Sequence, residues 1–166
     1  NFARGELVVN ADLFEAIEAG VIKKYITDFG TEELLNKENI IVFPHVGGST
    51  GEAALNCAIM AGQTIRRFME TGEIVNSVNF PRVQQALSAP YRITLINKNV
   101  PNIVARISTA VSDFNINIDN IINRSKGEYA YTLLDLDETD KSKIDELVAK
   151  FEASDNIVRV RLIKGK

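Results

Sequence analysis

The sequence contains a single cysteine, Cys57, so no disulfide can close within the chain. It lacks an uninterrupted apolar stretch of membrane-spanning length and any basic segment followed by a short apolar core, which excludes a spanning helix and a signal peptide and points to a reducing, cytoplasmic setting. An excess of positive charge is also missing. Nineteen Lys and Arg against 22 Asp and Glu leave a formal charge of −3, without the electrostatic footprint of a nucleic-acid-binding surface. No residues have metal-ligand spacing. The Gly-x-Gly-x-x-Gly fingerprint that cradles a dinucleotide pyrophosphate occurs nowhere. An initiating methionine is absent too: the sequence opens on Asn1, in what reads as a strand and its exit loop, and is expected to be a piece of a longer protein.

The composition present is that of a globular chain, 45% apolar and 25% charged over 166 residues, enough for one or two small domains. After Leu7-Val8-Val9, Asn10 is a good N-cap for a short helix carrying Leu13, Phe14 and Ile17 on one side and ending before Gly20. Val21, Ile22 and Ile26 predict a strand, an acidic loop runs from Asp28 to Asn39, and Ile40-Ile41-Val42-Phe43 reads as a strand buried on both faces and stopped by Pro44. Ser49 and Glu52 form the pattern of a capping box ahead of an Ala-rich helix reaching about Glu70, with Gly72 beyond it. Apolar positions surround much of that helix, predicting burial against more than one layer. The order implies a partial Rossmann-like parallel α/β sheet over residues 1–80.

Residues 79–90 hold two prolines and no clear period, so 81–90 are expected to be a linker. From Tyr91 to Lys166 the pattern changes. Ile93 and Leu95 alternate with polar neighbours, Pro101 precedes a helix bearing Ile103, Ile107 and Val111, and two strands follow, joined at Lys126-Gly127. A second amphipathic helix with Ile144, Leu147 and Phe151 leads to a last strand with Val158, Val160 and Leu162. This is a βαββαβ order, the ferredoxin-like arrangement.

His45 is the only histidine, and it lies where a strand ends and the longest helix is about to begin, the position at which ligands sit in open parallel sheets. The plainer reading is a histidine tying down a loop. Gly47 and Gly48 serve either a tight turn or the close approach of backbone to a ligand. Arg4, before Gly5, is either a surface residue or a two-pronged holder of a carboxylate. Glu32 and Glu33 lie in the acidic loop, where a carboxylate placed against His45 would orient the ring for proton exchange with a carbonyl oxygen.

From Asn1 to Pro81, the runs Asn1-Phe2-Ala3-Arg4-Gly5-Glu6-Leu7-Val8, Pro44-His45-Val46-Gly47-Gly48-Ser49-Thr50-Gly51-Glu52-Ala53 and Ser77-Val78-Asn79-Phe80-Pro81 resemble in order the closing third of the D-2-hydroxyacid dehydrogenase fold. The resemblance implies NAD-dependent hydride transfer at C2 of a 2-hydroxy acid. Arg4 would hold the substrate carboxylate and polarise the C2 oxygen, His45 would exchange the hydroxyl proton, Glu32 would partner His45, and Asp28, Gly47 and Gly48 would lie on the cofactor. The loop Thr27-Asp28-Phe29-Gly30-Thr31-Glu32-Glu33 departs from the family's Asp-Val-Phe-x-x-Glu-Pro pattern.

The second half resembles the ACT regulatory domain, whose loop after the first strand corresponds to Asn97-Lys98-Asn99-Val100-Pro101-Asn102. It implies an amino-acid effector, L-serine among the candidates, held between two copies by Asn97, Asn99 and Asn117. Asn102 stands where the family has glycine, and Asn97 where some relatives have a ligand-contacting histidine. The combination implies 3-phosphoglycerate as the small-molecule substrate, a homodimer or homotetramer, and an isolated chain without activity. Two alternatives stand beside it: a non-catalytic amino-acid-binding and oligomerisation module, and a dehydrogenase for another 2-hydroxy acid.

Overall fold

A computed structural model describes residues 1–165. The chain divides into two compact units, Asn1–Ala58 and the remainder from Ile59. In the first, a 3-10 turn at Gly5–Leu7 precedes helix α1, Asn10–Glu18. Its N-cap is Val9, without a side-chain cap, instead of the expected Asn10. The Asn10 amide instead donates to Glu33 Oε2 at 2.8 Å, a tertiary bond that outcompetes the local one. Gly20 ends the helix at φ 73°, and the Val21 and Ile22 amides both donate to the Ala16 carbonyl. Those two residues therefore close the helix, and the strand expected from Val21 starts only at Tyr25.

Strands β1 (Tyr25–Thr27) and β2 (Ile40–Val42) pair in parallel, Tyr25 opposite Ile40 and Thr27 opposite Val42. Neither face of β2 is fully covered: Ile41 is exposed, and Ile40 and Val42 are half-buried. Helix α2, Gly51–Thr71, crosses the division between the units. The Thr50 hydroxyl accepts from the Ala53 amide at 3.0 Å, which makes Thr50 the cap and displaces the Ser49–Glu52 box by one residue. No residue of α2 is buried within this chain; Leu55, Met60, Ile65 and Met69 are all exposed, so the layers expected from its apolar girth are not supplied by the described residues.

The second unit contains β3 (Tyr91–Lys98), α3 (Ile103–Asp113), β4 (Asn117–Lys126), β5 (Tyr129–Asp137), α4 (Lys141–Glu152) and β6 (Ile157–Lys164). The four strands form one antiparallel sheet in the order β4-β5-β3-β6, the ferredoxin-like topology. One face, with Ile93, Leu95, Leu134 and Leu136, packs on Ile107 and Val111 of α3 and Ile144, Leu147 and Phe151 of α4. Asp140 caps α4 by accepting from the Ser142 amide at 2.9 Å. Gly127, at φ 65°, makes the β4–β5 turn.

The opposite face is covered as well. Tyr131 and Leu133 pack with Ile74 and Val83, which are joined by two backbone hydrogen bonds of 2.8 and 3.0 Å. Arg92 is wholly buried. It forms a fork with Asp135 at 2.5 and 2.8 Å and also donates to the carbonyls of Thr71, Gln85 and Ala86 at 2.8 to 3.0 Å. The expected linker 81–90 is thus fixed to the sheet, because a buried guanidinium and the sheet's second apolar face need its backbone oxygens and Val83. The last turn of α2 is held in the same way. Arg161 donates to the Phe68 and Met69 carbonyls, and Tyr131 donates to the Gly72 carbonyl at 2.6 Å. Five exposed asparagines, Asn36, Asn39, Asn76, Asn102 and Asn115, take left-handed backbone angles between 54° and 64°.

Candidate functional site

The parallel pair β1–β2 sends two loops out from its carboxyl end. Asp28 follows β1 directly, and His45 comes three residues after β2, with the Phe43 amide still bonded to the Thr27 carbonyl at 2.8 Å. The loops meet: His45 Nδ1 lies 3.3 Å from Asp28 Oδ2. Phe29 packs its ring against the imidazole at a centroid distance of 4.7 Å. The His45 side chain is 59% exposed while that of Asp28 is 14% exposed, so the carboxylate is the sheltered partner and Nε2 the imidazole nitrogen left free. Asp28 Oδ1 is buried and has no hydrogen-bond partner among the described residues. A buried carboxylate oxygen without a donor calls for one, from water, a ligand or further polypeptide.

The carboxylate at His45 is therefore that of Asp28 and not that of Glu32, the partner the family resemblance implies. Glu32 is exposed and makes no hydrogen bond or ion pair with His45, because the loop bends after Phe29 and carries it away. Glu33 accepts from Asn10. Arg4 is exposed, with its guanidinium on the Ala3 carbonyl at 2.7 Å, and it too makes no bond to His45. Gly47 and Gly48 lie in the exposed loop ahead of α2. An added Cβ at either meets nothing within 4 Å and neither has a left-handed φ, so this chain itself does not require glycine there. No group of three His, Cys, Asp or Glu side chains suited to a metal occurs among the described residues, and no helix is long and apolar enough to cross a membrane.

Two contributors to the His45 surroundings were not foreseen. Phe29 supplies the packed face, and Thr27, completely buried, accepts from the Phe29 amide at 3.1 Å and donates to the Asn1 carbonyl at 2.9 Å. A threonine two residues before the amide it holds is a common local turn, but nothing in the local pattern identifies the residue on which that turn bears.

In the second unit the three asparagines separate. Asn97 has no exposed surface; its amide donates to the Lys98 carbonyl at 3.0 Å and its oxygen accepts from Thr132 at 2.8 Å. It is committed to the sheet interior, where the expected effector contact has no access. Asn99 is exposed and donates to the Gly127 carbonyl at 3.0 Å. Asn117 is exposed at the start of the edge strand β4, paired with Asp137, whereas Asn99 lies beside the turn at the other end of that strand. Asn102, in the glycine position of the ACT loop, has φ 63° and so adopts the conformation a glycine would.

Residues 1–47 match the family described as D-isomer specific 2-hydroxyacid dehydrogenase, NAD binding domain. The chain is similar to D-3-phosphoglycerate dehydrogenase 2 of Saccharomyces cerevisiae, 33% identical over 139 residues, covering 80% of this chain and 29% of the relative. It is also similar to the D-3-phosphoglycerate dehydrogenase of Dictyostelium discoideum, 28% identical and covering 98% of this chain and 42% of the relative. The chain thus spans less than half the length of these relatives. Among solved structures it is similar to the ACT domain from GTP pyrophosphokinase of Chlorobium tepidum, with TM-score 0.41, 18% identity, and coverage of 44% of this chain and 95% of that one. An ACT domain protein from Streptococcus pneumoniae matches with TM-score 0.39 and 25% identity, covering 45% of this chain and 86% of that one.

Proposed function

We propose that this chain is the carboxy-terminal part of an NAD-dependent D-3-phosphoglycerate dehydrogenase, which oxidises 3-phosphoglycerate to 3-phosphohydroxypyruvate at the opening of L-serine biosynthesis. The observation that carries the reading is the pairing of His45 with Asp28 at the carboxyl ends of two parallel strands, within the segment that matches the family. In oxidation, His45 Nε2 takes the proton of the C2 hydroxyl. Asp28, at Nδ1, fixes the ring orientation and balances the charge of the imidazolium that forms. Phe29 keeps water from one side of the ring. Arg4 offers a guanidinium fork to the substrate carboxylate.

NAD supplies the hydride chemistry when bound. The unpartnered Oδ1 of Asp28 suits it, since an amide N–H such as that of the nicotinamide carboxamide is the kind of donor this oxygen lacks. The pyrophosphate loop has to come from polypeptide outside this sequence. Asp28→Asn and Glu32→Gln, compared in turnover, distinguish the two carboxylates.

The second unit reads as an ACT module for an amino-acid effector. Antiparallel pairing of two β4 edges would bring Asn117 of one copy toward the Asn99 turn of another, which favours a homodimer, or a homotetramer of such pairs. L-serine binding should weaken by about 1 to 3 kcal/mol in Asn99→Ala.

The test uses the full-length polypeptide with 3-phosphoglycerate and NAD. His45→Gln should lose about 10²- to 10⁴-fold in kcat with unchanged thermal stability. Turnover of another 2-hydroxy acid alone would make the protein a different dehydrogenase. Effector binding without any turnover would leave a regulatory module.

A further inference from the structure

We propose that Thr27 is a positioning residue whose hydroxyl joins the Arg4 turn to the turn that carries His45's neighbours. The proposal rests on the dehydrogenase reading of His45 and adds to it what sets the spacing between two substrate-binding loops. Thr27 is the last residue of β1 and has no exposed surface. Its backbone is already fixed by the ladder, with the carbonyl accepting from the Phe43 amide at 2.8 Å, so the hydroxyl is not needed to form the strand.

That hydroxyl makes two bonds in opposite directions. It accepts from the Phe29 amide at 3.1 Å, setting the bend that places the Phe29 ring 4.7 Å and the Asp28 carboxylate 3.3 Å from His45. It donates to the Asn1 carbonyl at 2.9 Å. Asn1 in turn organises the next residues, its side chain accepting from the Ala3 amide at 3.1 Å and donating to the Arg4 carbonyl at 2.8 Å. One buried oxygen therefore bonds both the Arg4 turn and the Phe29 bend, beside the bond that the Asn1 amide donates to the Tyr25 hydroxyl at 3.3 Å.

A 2-hydroxy acid carries its carboxylate on the carbon bearing the reacting hydroxyl, so the groups that hold the two have little latitude. A misplacement of about 1 Å is enough to cost roughly 10²-fold in rate. Thr27→Val keeps the branched shape and removes the hydroxyl, while Thr27→Ser keeps the hydroxyl.

In the full-length protein Thr27→Val should lower kcat/KM for 3-phosphoglycerate by about tenfold or more, with a displaced pH–rate profile, while KM for NAD changes little. Thr27→Ser should restore the parent values to within about twofold. The His45 imidazole resonance, assigned by its loss in His45→Gln, should move in Thr27→Val and not in Thr27→Ser. Parent-like kinetics and resonance in a folded Thr27→Val overturn the proposal. So does a Thr27→Ser that loses as much as Thr27→Val, since methyl packing would then be the cause. If Thr27→Val does not fold, Thr27→Ser decides: parent-like behaviour supports the proposal and a tenfold loss overturns it. A parent protein without dehydrogenase activity whose His45 resonance still follows this pattern would refute the dehydrogenase reading and keep the coupling.

Discussion

The two units use similar residues for opposite ends. Within Asn1–Ala58 only Leu13 and Leu34 among the described large apolar side chains are buried, while Phe2, Leu7, Val21, Phe43 and Val46 are exposed around a ladder of three residue pairs. The second unit buries a continuous core on one face of its sheet and a smaller one on the other, with Arg92, Ile93, Leu95, Leu133, Leu134 and Leu136 at 0% exposure. The first unit leaves most of its large apolar side chains exposed, and the second encloses them. A two-stranded element is marginal on its own, whereas four strands under two helices are not.

The difference is sharpened by damage confined to one side. The largest expected effect is at Arg92, whose removal leaves the buried Asp135 carboxylate without its fork. Arg92→Met should cost about 3 to 5 kcal/mol in chemical denaturation followed on the second unit, and little change there would break the comparison. Gly72→Ala comes next. Its Cβ would lie 2.5 Å from Thr94 Cγ2 and 2.9 Å from Ile163 Cδ1, at φ +71°, so a loss of about 1 to 3 kcal/mol is expected in the same measurement.

Tyr131→Phe should cost about 1 kcal/mol by leaving the Gly72 carbonyl unpaired, and it has a signature in pH. Burial pushes the Tyr131 hydroxyl above its ordinary pKa of 10.0, against the lowering influence of Thr94, Arg161 and Arg92. A group raised on folding contributes stability that is present below its unfolded pKa and lost as pH rises toward the folded one. The alkaline fall in stability above about pH 10 should therefore be shallower in the variant.

The smallest effect is at the α4 cap. Hydrogen bonds from Ser142 hold Asp140 below the usual carboxylate range, and those from the Asp140 amide and Lys143 do so for Glu138. Groups lowered on folding stabilise above their unfolded pKa values and lose that contribution as pH falls through the folded ones. Asp140→Ala should flatten the acid limb of thermal melts below about pH 4 and leave neutral-pH turnover unaltered.

What the sequence made legible divides along the same line. In the second unit, period and turn chemistry agree: Ile93 and Leu95 on one face, Ile144, Leu147 and Phe151 on one stripe, and Gly127 in a left-handed turn together specify the βαββαβ order that is observed. Even there, Arg92 reads as a solvent-facing alternate of Ile93, because only tertiary contacts reveal that its side of the sheet is covered. Residues 81–90 read as a linker for the same reason, their backbone partners being a guanidinium that lies outside the segment. In the first unit, the parallel strands and the place of His45 were legible. The placement of Asp28 instead of Glu32 beside His45 was not, since both are carboxylates in one loop and the bend that separates them is visible only in the tertiary structure.

The five left-handed asparagines bear on how this protein tolerates mutation. Exposure usually marks the positions where substitution is harmless, and Asn36, Asn39, Asn76, Asn102 and Asn115 are all exposed. Their backbone angles reverse that expectation. Only glycine, and to a lesser degree aspartate, adopts such angles readily in their place, so a β-branched residue at any of the five would be resisted although the position is exposed. A map of tolerated substitutions should therefore show these points of constraint in the loops, at sites that a map of burial would leave blank.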